Sequence, residues 1–171
     1  MTRNLEHILK ALSFACFACA CGLVGCILIV VSYDMTSRNF GLPTAVWSVN
    51  SVEYMILFVT FLVMPWLVRT RGHVSVTIVL QNMPDAVRHL FEKFLHVFAA
   101  VICFHLAWRA GLRLEDAIAR GAVEIRSFDM PLWIVYVTMP VGLGLSGLEF
   151  LAFLYRGESF YDAHLEEAAG L

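Results

Sequence analysis

An uncharged apolar run near the N-terminus constrains this chain more than any other feature. Residues 11–33 contain no Asp, Glu, Lys or Arg. A helix crosses a hydrocarbon core of about 30 Å with about 20 apolar residues, and helices and closed barrels satisfy their own backbone hydrogen bonds there. Further apolar stretches of helical length lie at residues 47–68, 90–112 and 131–155. The sequence therefore predicts an all-α membrane protein with four transmembrane helices, forming a single domain over residues 1–171.

The composition excludes several classes of protein. Of the 171 residues, 60% are hydrophobic and only 15% are charged, and the mean hydropathy is +0.75, whereas soluble domains are about a quarter charged. The formal net charge of −2 offers no clustered basic surface for a nucleic acid. Four membrane spans leave little polypeptide for a catalytic domain outside the bilayer. We expect a protein that is not an enzyme and that binds no cofactor or metal.

The third apolar stretch predicts a helix that is longer than its membrane span. Only residues 94–108 lack charge, and at about 1.5 Å per residue they reach ~22 Å, so basic flanking side chains must extend toward the headgroups. No proline follows until Pro131, and Asp116 and Arg120 are correctly spaced as helical i,i+4 partners. We expect a long third helix that projects beyond the bilayer.

The even number of spans predicts that both termini lie on one side of the membrane. The positive-inside rule favours the cytoplasmic side by a small margin, because the inner segments would then carry most of the 12 Lys and Arg residues. Residues 73–83 are apolar but too short to cross, which indicates a short interfacial segment between helices 2 and 3. Residues 109–129 balance arginines against acids and predict a neutral, structured outer surface, while 156–171 form a polar tail.

Cysteines and histidines could carry redox or haem chemistry. Cys16 and Cys19 have the spacing of a redox pair, but thiols in hydrocarbon offer no thiolate, and we interpret them as small packing residues. His96 and His105 lie nine positions apart in the third span, and at about 100° per residue they occupy opposite faces of a helix. They cannot both ligate one haem.

Two carboxylates lie inside the predicted spans. Glu53 is near the start of the second span and Glu149 is in the last third of the fourth. A carboxylate at membrane depth is neutral, paired or close to the surface. Each of these two therefore either extends to the headgroups or meets a buried partner, and the sequence leaves both alternatives open. Two acids at opposite ends of the membrane do not form an ion relay.

Two sequence motifs resemble those of a known family. The second span is followed by Arg71, Gly72, His73, Val74 and Val76. This order resembles the Arg-x-Gly-His-Val-x-Val pattern of the small permease subunit of tripartite ATP-independent periplasmic (TRAP) transporters. The start of the fourth span, DMPLWIVYVTMPVG at 129–142, is similar to that family as well. One departure is the residue after Val76, which is Thr77 where family members often carry Asp.

The resemblance implies a subunit of the bacterial inner membrane with both termini in the cytoplasm. It would bind a large multi-helix permease subunit and widen the scaffold of that partner. A periplasmic substrate-binding protein would deliver an organic acid, and a sodium gradient would drive uptake. Two alternatives from other classes are a haem- or quinone-binding membrane anchor of a respiratory oxidoreductase, and an autonomous channel, for which a polar stripe along the spans would be expected.

Several residues are candidates for contacts at the membrane boundary or with the large subunit. These are Glu53, Arg69, Arg71, Gly72, His73, Pro131, Trp133 and Glu149. Arg69, Arg71 and His73 would meet lipid phosphates or acidic groups of the partner, and Gly72 would allow a sharp turn. On the outer side, Arg113, Arg120 and Arg126 either contact the binding protein or pair with neighbouring acids of this chain.

Overall fold

The chain is α-helical with one short hairpin. The computed structural model describes residues 3–41, 46–70 and 85–156. In chain order the elements are α1 (Arg3–Asn39), α2 (Val46–Arg69), α3 (Asp85–Arg120), β1 (Val123–Ile125), β2 (Asp129–Pro131) and α4 (Leu132–Arg156). Within the described ranges, four helices are long and apolar enough to cross a membrane. The predicted four-helix membrane architecture is confirmed at this level.

The helix boundaries agree most closely with the predicted spans in α2 and α4. Both helices lie within one residue of the predicted 47–68 and 131–155. The helix α1 is longer than its predicted span, and α3 continues without a break to Arg120. The predicted interfacial segment 73–83 and the polar tail after Arg156 lie outside the described residues.

A glycine-terminated cap ends α3. Gly121 has φ +55°, in the left-handed region that L side chains rarely adopt. Its N–H donates to the carbonyl of Ile118 at 3.2 Å, and the Ala122 N–H donates to the carbonyl of Ala117 at 3.1 Å. These are the two hydrogen bonds of a Schellman cap. The cap turns the chain directly into the hairpin.

The hairpin between α3 and α4 was not predicted from the sequence. The strands β1 and β2 pair antiparallel, with Val123 opposite Pro131 and Ile125 opposite Asp129. Each strand has three residues, which is too few for apolar alternation to stand out from a loop. Residues 123–131 are therefore structured, and they form a hairpin.

The helices pack in a row, in the order α1, α2, α4, α3. Gly142 of α4 lies so close to α2 that an added Cβ would collide with the backbone oxygen of Phe61. On the α3 side, a Cβ at Gly147 would lie 3.0 Å from the ring of Phe104. Because glycine has no side chain, Gly142 and Gly147 allow α4 to approach α2 on one side and α3 on the other. The α4 span is the most buried of the four candidate spans and the α1 span the least.

Candidate functional site

One end of the helical row holds a buried polar cluster built from three helices. Glu149 of α4 has no exposed side-chain surface, and Arg69 of α2 is 16% exposed. The Arg69 Nη1 donates to both carboxylate oxygens of Glu149, at 2.9 and 3.2 Å. Ser13 of α1 donates its hydroxyl to Glu149 Oε1 at 2.7 Å. We call Ser13, Arg69 and Glu149 the inner cluster.

The local sequence places each member of the inner cluster on a buried helix face. Glu149 shares one stripe of α4 with Gly142, Ser146 and Phe153, all of which are buried, as helical spacing requires. Arg69 is the last residue of α2. The N–H of the next residue, Thr70, donates to the Trp66 carbonyl at 2.9 Å. The guanidinium and hydroxyl donors compensate for removing the carboxylate from water. The cluster can therefore join three helices.

A second polar cluster attaches the hairpin to the other end of α2. Arg126 donates to Glu53 at 2.6 Å and also pairs with Glu124 at 2.7 Å. The Tyr54 hydroxyl donates to Glu124 at 3.0 Å, and Asn50 donates to Ser127 at 3.2 Å. We call these six residues the outer cluster. In chain order they are Asn50, Glu53, Tyr54, Glu124, Arg126 and Ser127.

The ion pair between Arg126 and Glu53 is half exposed, in contrast to the buried pair of the inner cluster. The side chains of Glu53 and Arg126 are 54% and 46% exposed. The nearby carboxylate of Glu124, followed by that of Glu53, raises the pKa of Arg126, so its guanidinium stays charged at any physiological pH. The ring of Phe128 lies 6.0 Å from the ring of Tyr54 in an edge-on arrangement and adds an apolar contact.

Each of the two carboxylates in the predicted spans has an ion-pair partner in the same chain. Glu149 has a buried partner, and that partner is in the same chain. Glu53 is paired but half exposed. Arg69, a candidate for contacts with lipid phosphates or acids of another subunit, pairs with Glu149. The reason is the packing of α2 on α4, which brings the end of one helix to the polar residue of the other.

The remaining candidates are divided between local pairs, exposed positions and undescribed residues. Arg120 pairs with Asp116 at 2.7 Å, as the i,i+4 spacing predicted. Arg113 is exposed and forms no ion pair with any described residue. Pro131 pairs with Val123 in the hairpin, and Trp133 is exposed at the start of α4. The positions of Arg71, Gly72 and His73 lie outside the described residues.

The two histidines of α3 lie on opposite faces, as their spacing predicted. His96 is buried, its Nδ1 lies 2.6 Å from the Glu92 carbonyl, and its ring packs against Phe150 and Phe153. Because a carbonyl oxygen only accepts, Nδ1 carries the proton of this hydrogen bond. His105 is exposed. Among the described residues, no group of three or more His, Cys, Asp or Glu side chains could hold a metal ion.

Sequence reasoning missed Ser13 as a site residue. A single serine in an apolar helix carries no distinctive motif, and it was absent from the candidate residues. Periodicity could have indicated Ser13. Leu9, Ser13 and Ala20 are all buried in the first half of α1, and they follow the four- and seven-residue spacing of one helix face.

Comparison with known proteins places the chain in a family. Residues 27–159 match the model of the family described as "Tripartite ATP-independent periplasmic transporters, DctQ component". A curated relative, the "Ectoine TRAP transporter small permease protein TeaB" of Halomonas elongata, is 20% identical over 111 residues. That match covers 65% of this chain and 57% of the relative, so the chain spans little more than half of the relative's length. The chain belongs to the DctQ family, a membrane component of tripartite ATP-independent periplasmic transporters that is not an enzyme.

Proposed function

We propose that this chain is the small membrane subunit of a TRAP importer and that it scaffolds the large permease subunit. The transporter would take up an organic acid that a periplasmic binding protein delivers, driven by a sodium gradient. Family membership supports the subunit role. The relative from Halomonas elongata is named for ectoine, and we assign the choice of substrate for this chain to the binding protein and the large subunit.

The arrangement of polar and apolar surface carries this proposal. The described polar groups of the inner cluster are directed at neighbouring helices of the same chain, while the apolar side chains of the two end helices are directed outwards. On α1 these include Leu28 and Ile29, and on α3 they include Val101 and Trp108. The polar groups of the row pair within the chain, and its outward surfaces are apolar. Such a row is suited to pack against a larger membrane protein and support it.

The proposed orientation has both termini in the cytoplasm of a bacterium, with the chain in the inner membrane. The inner cluster would then lie near the cytoplasmic surface, together with Arg71, Gly72, His73 and an interfacial segment at 73–83. The last turns of α3 and the hairpin would project into the periplasm. Arg113, which has no ion pair among the described residues, is then the best of the three outer arginines for a contact with the binding protein.

Gentle purification from the native membrane tests the proposal. We expect the tagged chain to elute as a colourless complex with one much larger multi-span protein, identified by mass. Reconstitution of that complex with its binding protein should give uptake that depends on an inward sodium gradient. A Soret absorption band with flavin or iron-sulfur subunits would instead identify the respiratory anchor described above.

A further inference from the structure

A proline interrupts the backbone hydrogen bonding of α2 inside its membrane span. Pro65 lies within α2, and the helix continues through it to Arg69. Because proline has no backbone N–H, the carbonyl four residues earlier, that of Phe61, loses its helical donor, and the proline ring also pushes this carbonyl away from the helix. Pro65 is less than 2% exposed, so this side of α2 faces the rest of the chain.

The freed carbonyl needs another donor in the membrane. The hydrocarbon core holds no water to replace the lost hydrogen bond, and spans tolerate proline where a neighbouring helix or a Ser or Thr hydroxyl supplies a substitute. The two hydroxyls nearest to Pro65 in the sequence donate to other carbonyls. Thr60 donates to Ile56 at 2.8 Å, and Thr70 donates to Trp66 at 3.0 Å. We therefore expect the substitute to come from a neighbouring helix.

The residue of α4 that meets this carbonyl is Gly142. A Cβ added there would collide with the Phe61 carbonyl oxygen and would lie 2.8 Å from the carbonyl carbon. In glycine a Cα hydrogen takes the direction of the missing Cβ, so this C–H bond of Gly142 is directed towards the oxygen. Contacts of this kind between helices are weak hydrogen bonds. The approach is specific to one position, because a Cβ at Gly144 would have no atom within 4 Å.

We propose that Pro65 and Gly142 act as one unit, in which Pro65 frees the Phe61 carbonyl from α2 and the Cα–H of Gly142 satisfies it from α4. We call this unit the proline–glycine joint. Arg69 follows Phe61 by eight residues, and its partner Glu149 follows Gly142 by seven. The joint and the ion pair therefore fix the same register between α2 and α4. This inference concerns two helices of one chain and does not depend on the partner proteins proposed above.

A double-mutant cycle tests whether the two residues act together. In the purified subunit, Gly142→Ala should raise the unfolding equilibrium constant about 5- to 150-fold, as overpacking does. Pro65→Ala restores the N–H that draws the Phe61 carbonyl back into α2. In that background Gly142→Ala should cost at least about threefold less, a larger difference than independent sites show.

Gly144→Ala is the matched control for this cycle, because it adds a methyl to the same helix in open space. Its effect on the unfolding equilibrium constant should be the same with Pro65 and with Pro65→Ala. An equal cost of Gly142→Ala in the two backgrounds would overturn the joint. So would a change in the cost of Gly144→Ala as large as that of Gly142→Ala, because the effect would then not depend on the contact.

Isotope-edited infrared spectroscopy gives a second readout, which needs no unfolding. A ¹³C=¹⁸O label in the Phe61 carbonyl is compared with the same label in Leu62, whose helical donor, the Trp66 N–H, is intact. The Phe61 amide I band should lie at higher wavenumber, because a C–H group is a weaker donor than N–H. Pro65→Ala should lower the Phe61 band to the position of the Leu62 band and leave the Leu62 band unchanged. Equal bands in the unmodified protein, or a Phe61 band that Pro65→Ala does not move, would overturn the joint.

Discussion

The two ends of α2 carry ion pairs that differ in burial. At its C-terminal end, Arg69 meets a Glu149 side chain with no exposed surface, and the pair joins three helices through Ser13. Near its N-terminal end, Glu53 meets Arg126 in a pair that is about half exposed. A buried pair that loses one partner leaves an uncompensated charge, whereas an exposed pair exchanges its partner for water. The buried ion pair at the C-terminal end of α2 should therefore hold the helices together. The exposed pair near the N-terminal end should only orient the hairpin.

The largest expected effect is the loss of one partner from the inner cluster. Glu149→Ala leaves the partly buried guanidinium of Arg69 without its carboxylate partner, and we expect a loss of about 3–5 kcal/mol in the free energy of unfolding. Denaturant titration of the purified subunit in mild detergent, followed by circular dichroism, measures this. An unchanged unfolding midpoint would show that the inner cluster does not hold the helices together.

The control for this variant removes the whole inner cluster at once. Replacing a buried ion pair by apolar side chains of similar size is often neutral or stabilising. The triple variant Ser13→Ala, Arg69→Met, Glu149→Leu should therefore be more stable than Glu149→Ala alone. If the triple variant is as unstable as the single one, the loss comes from altered packing and the charge argument is wrong.

The close approach of α2 and α4 should give the second largest effect. An added methyl at Gly142 meets the backbone oxygen of Phe61, while Gly144 on the same helix has open space around it. Overpacking of this kind costs about 1–3 kcal/mol, and Gly142→Ala should lower the unfolding midpoint accordingly. Gly144→Ala is the matched control and should be neutral or gain up to about 1 kcal/mol from helix propensity. Equal midpoints for the two variants would contradict the helix contact at Gly142.

The sequence predicts the membrane spans better than it predicts their contacts. Apolar runs and their charged flanks place α2 and α4 within a residue, because the bilayer thickness itself fixes the length of a span. The pairing of Glu149 with Arg69 and Ser13 joins positions far apart in the chain. Lipid and neighbouring helices are equally apolar, so hydropathy does not tell which helix lies beside which.

In the outer cluster and its surroundings too, the sequence predicts local helical spacing but does not predict the contacts between elements. The exposure of Glu53 is consistent with its place near the start of a span, and the i,i+4 pair of Asp116 with Arg120 follows from helical spacing alone. The partner of Glu53 depends on the hairpin, whose short strands carry almost no signal in the sequence. The sequence predicts that Glu53 needs a partner if it is buried, but it does not identify Arg126 as that partner.

A single hydrogen bond of the inner cluster should give a smaller effect. Ser13→Ala removes one hydroxyl donor from Glu149 but leaves Arg69 in place. Interhelical hydrogen bonds in membranes contribute about 0.6 kcal/mol on average, with a maximum of about 1.7 kcal/mol, so we expect a loss of about 1 kcal/mol in the same denaturant titration. Ser32→Ala, at an exposed position on α1, is the control and should leave the midpoint unchanged. A loss as large as that of Glu149→Ala would mean that the hydroxyl, and not the guanidinium, compensates for the carboxylate.

The smallest effect should come from the outer cluster, where salt dependence is the sharper measurement. Glu53→Gln keeps the size of the side chain and removes its charge. We expect a smaller shift of the midpoint than for Glu149→Ala, Gly142→Ala or Ser13→Ala, because Glu53 and Arg126 are half exposed. Salt shortens the Debye length from about 10 Å at 0.1 M to about 3 Å at 1 M. The difference between Glu53→Gln and the unmodified protein should thus shrink as sodium chloride is raised, while the deficit of Glu149→Ala should persist because that carboxylate has no exposed surface. Equal salt sensitivity of the two differences would mean that burial does not separate the two ends of α2.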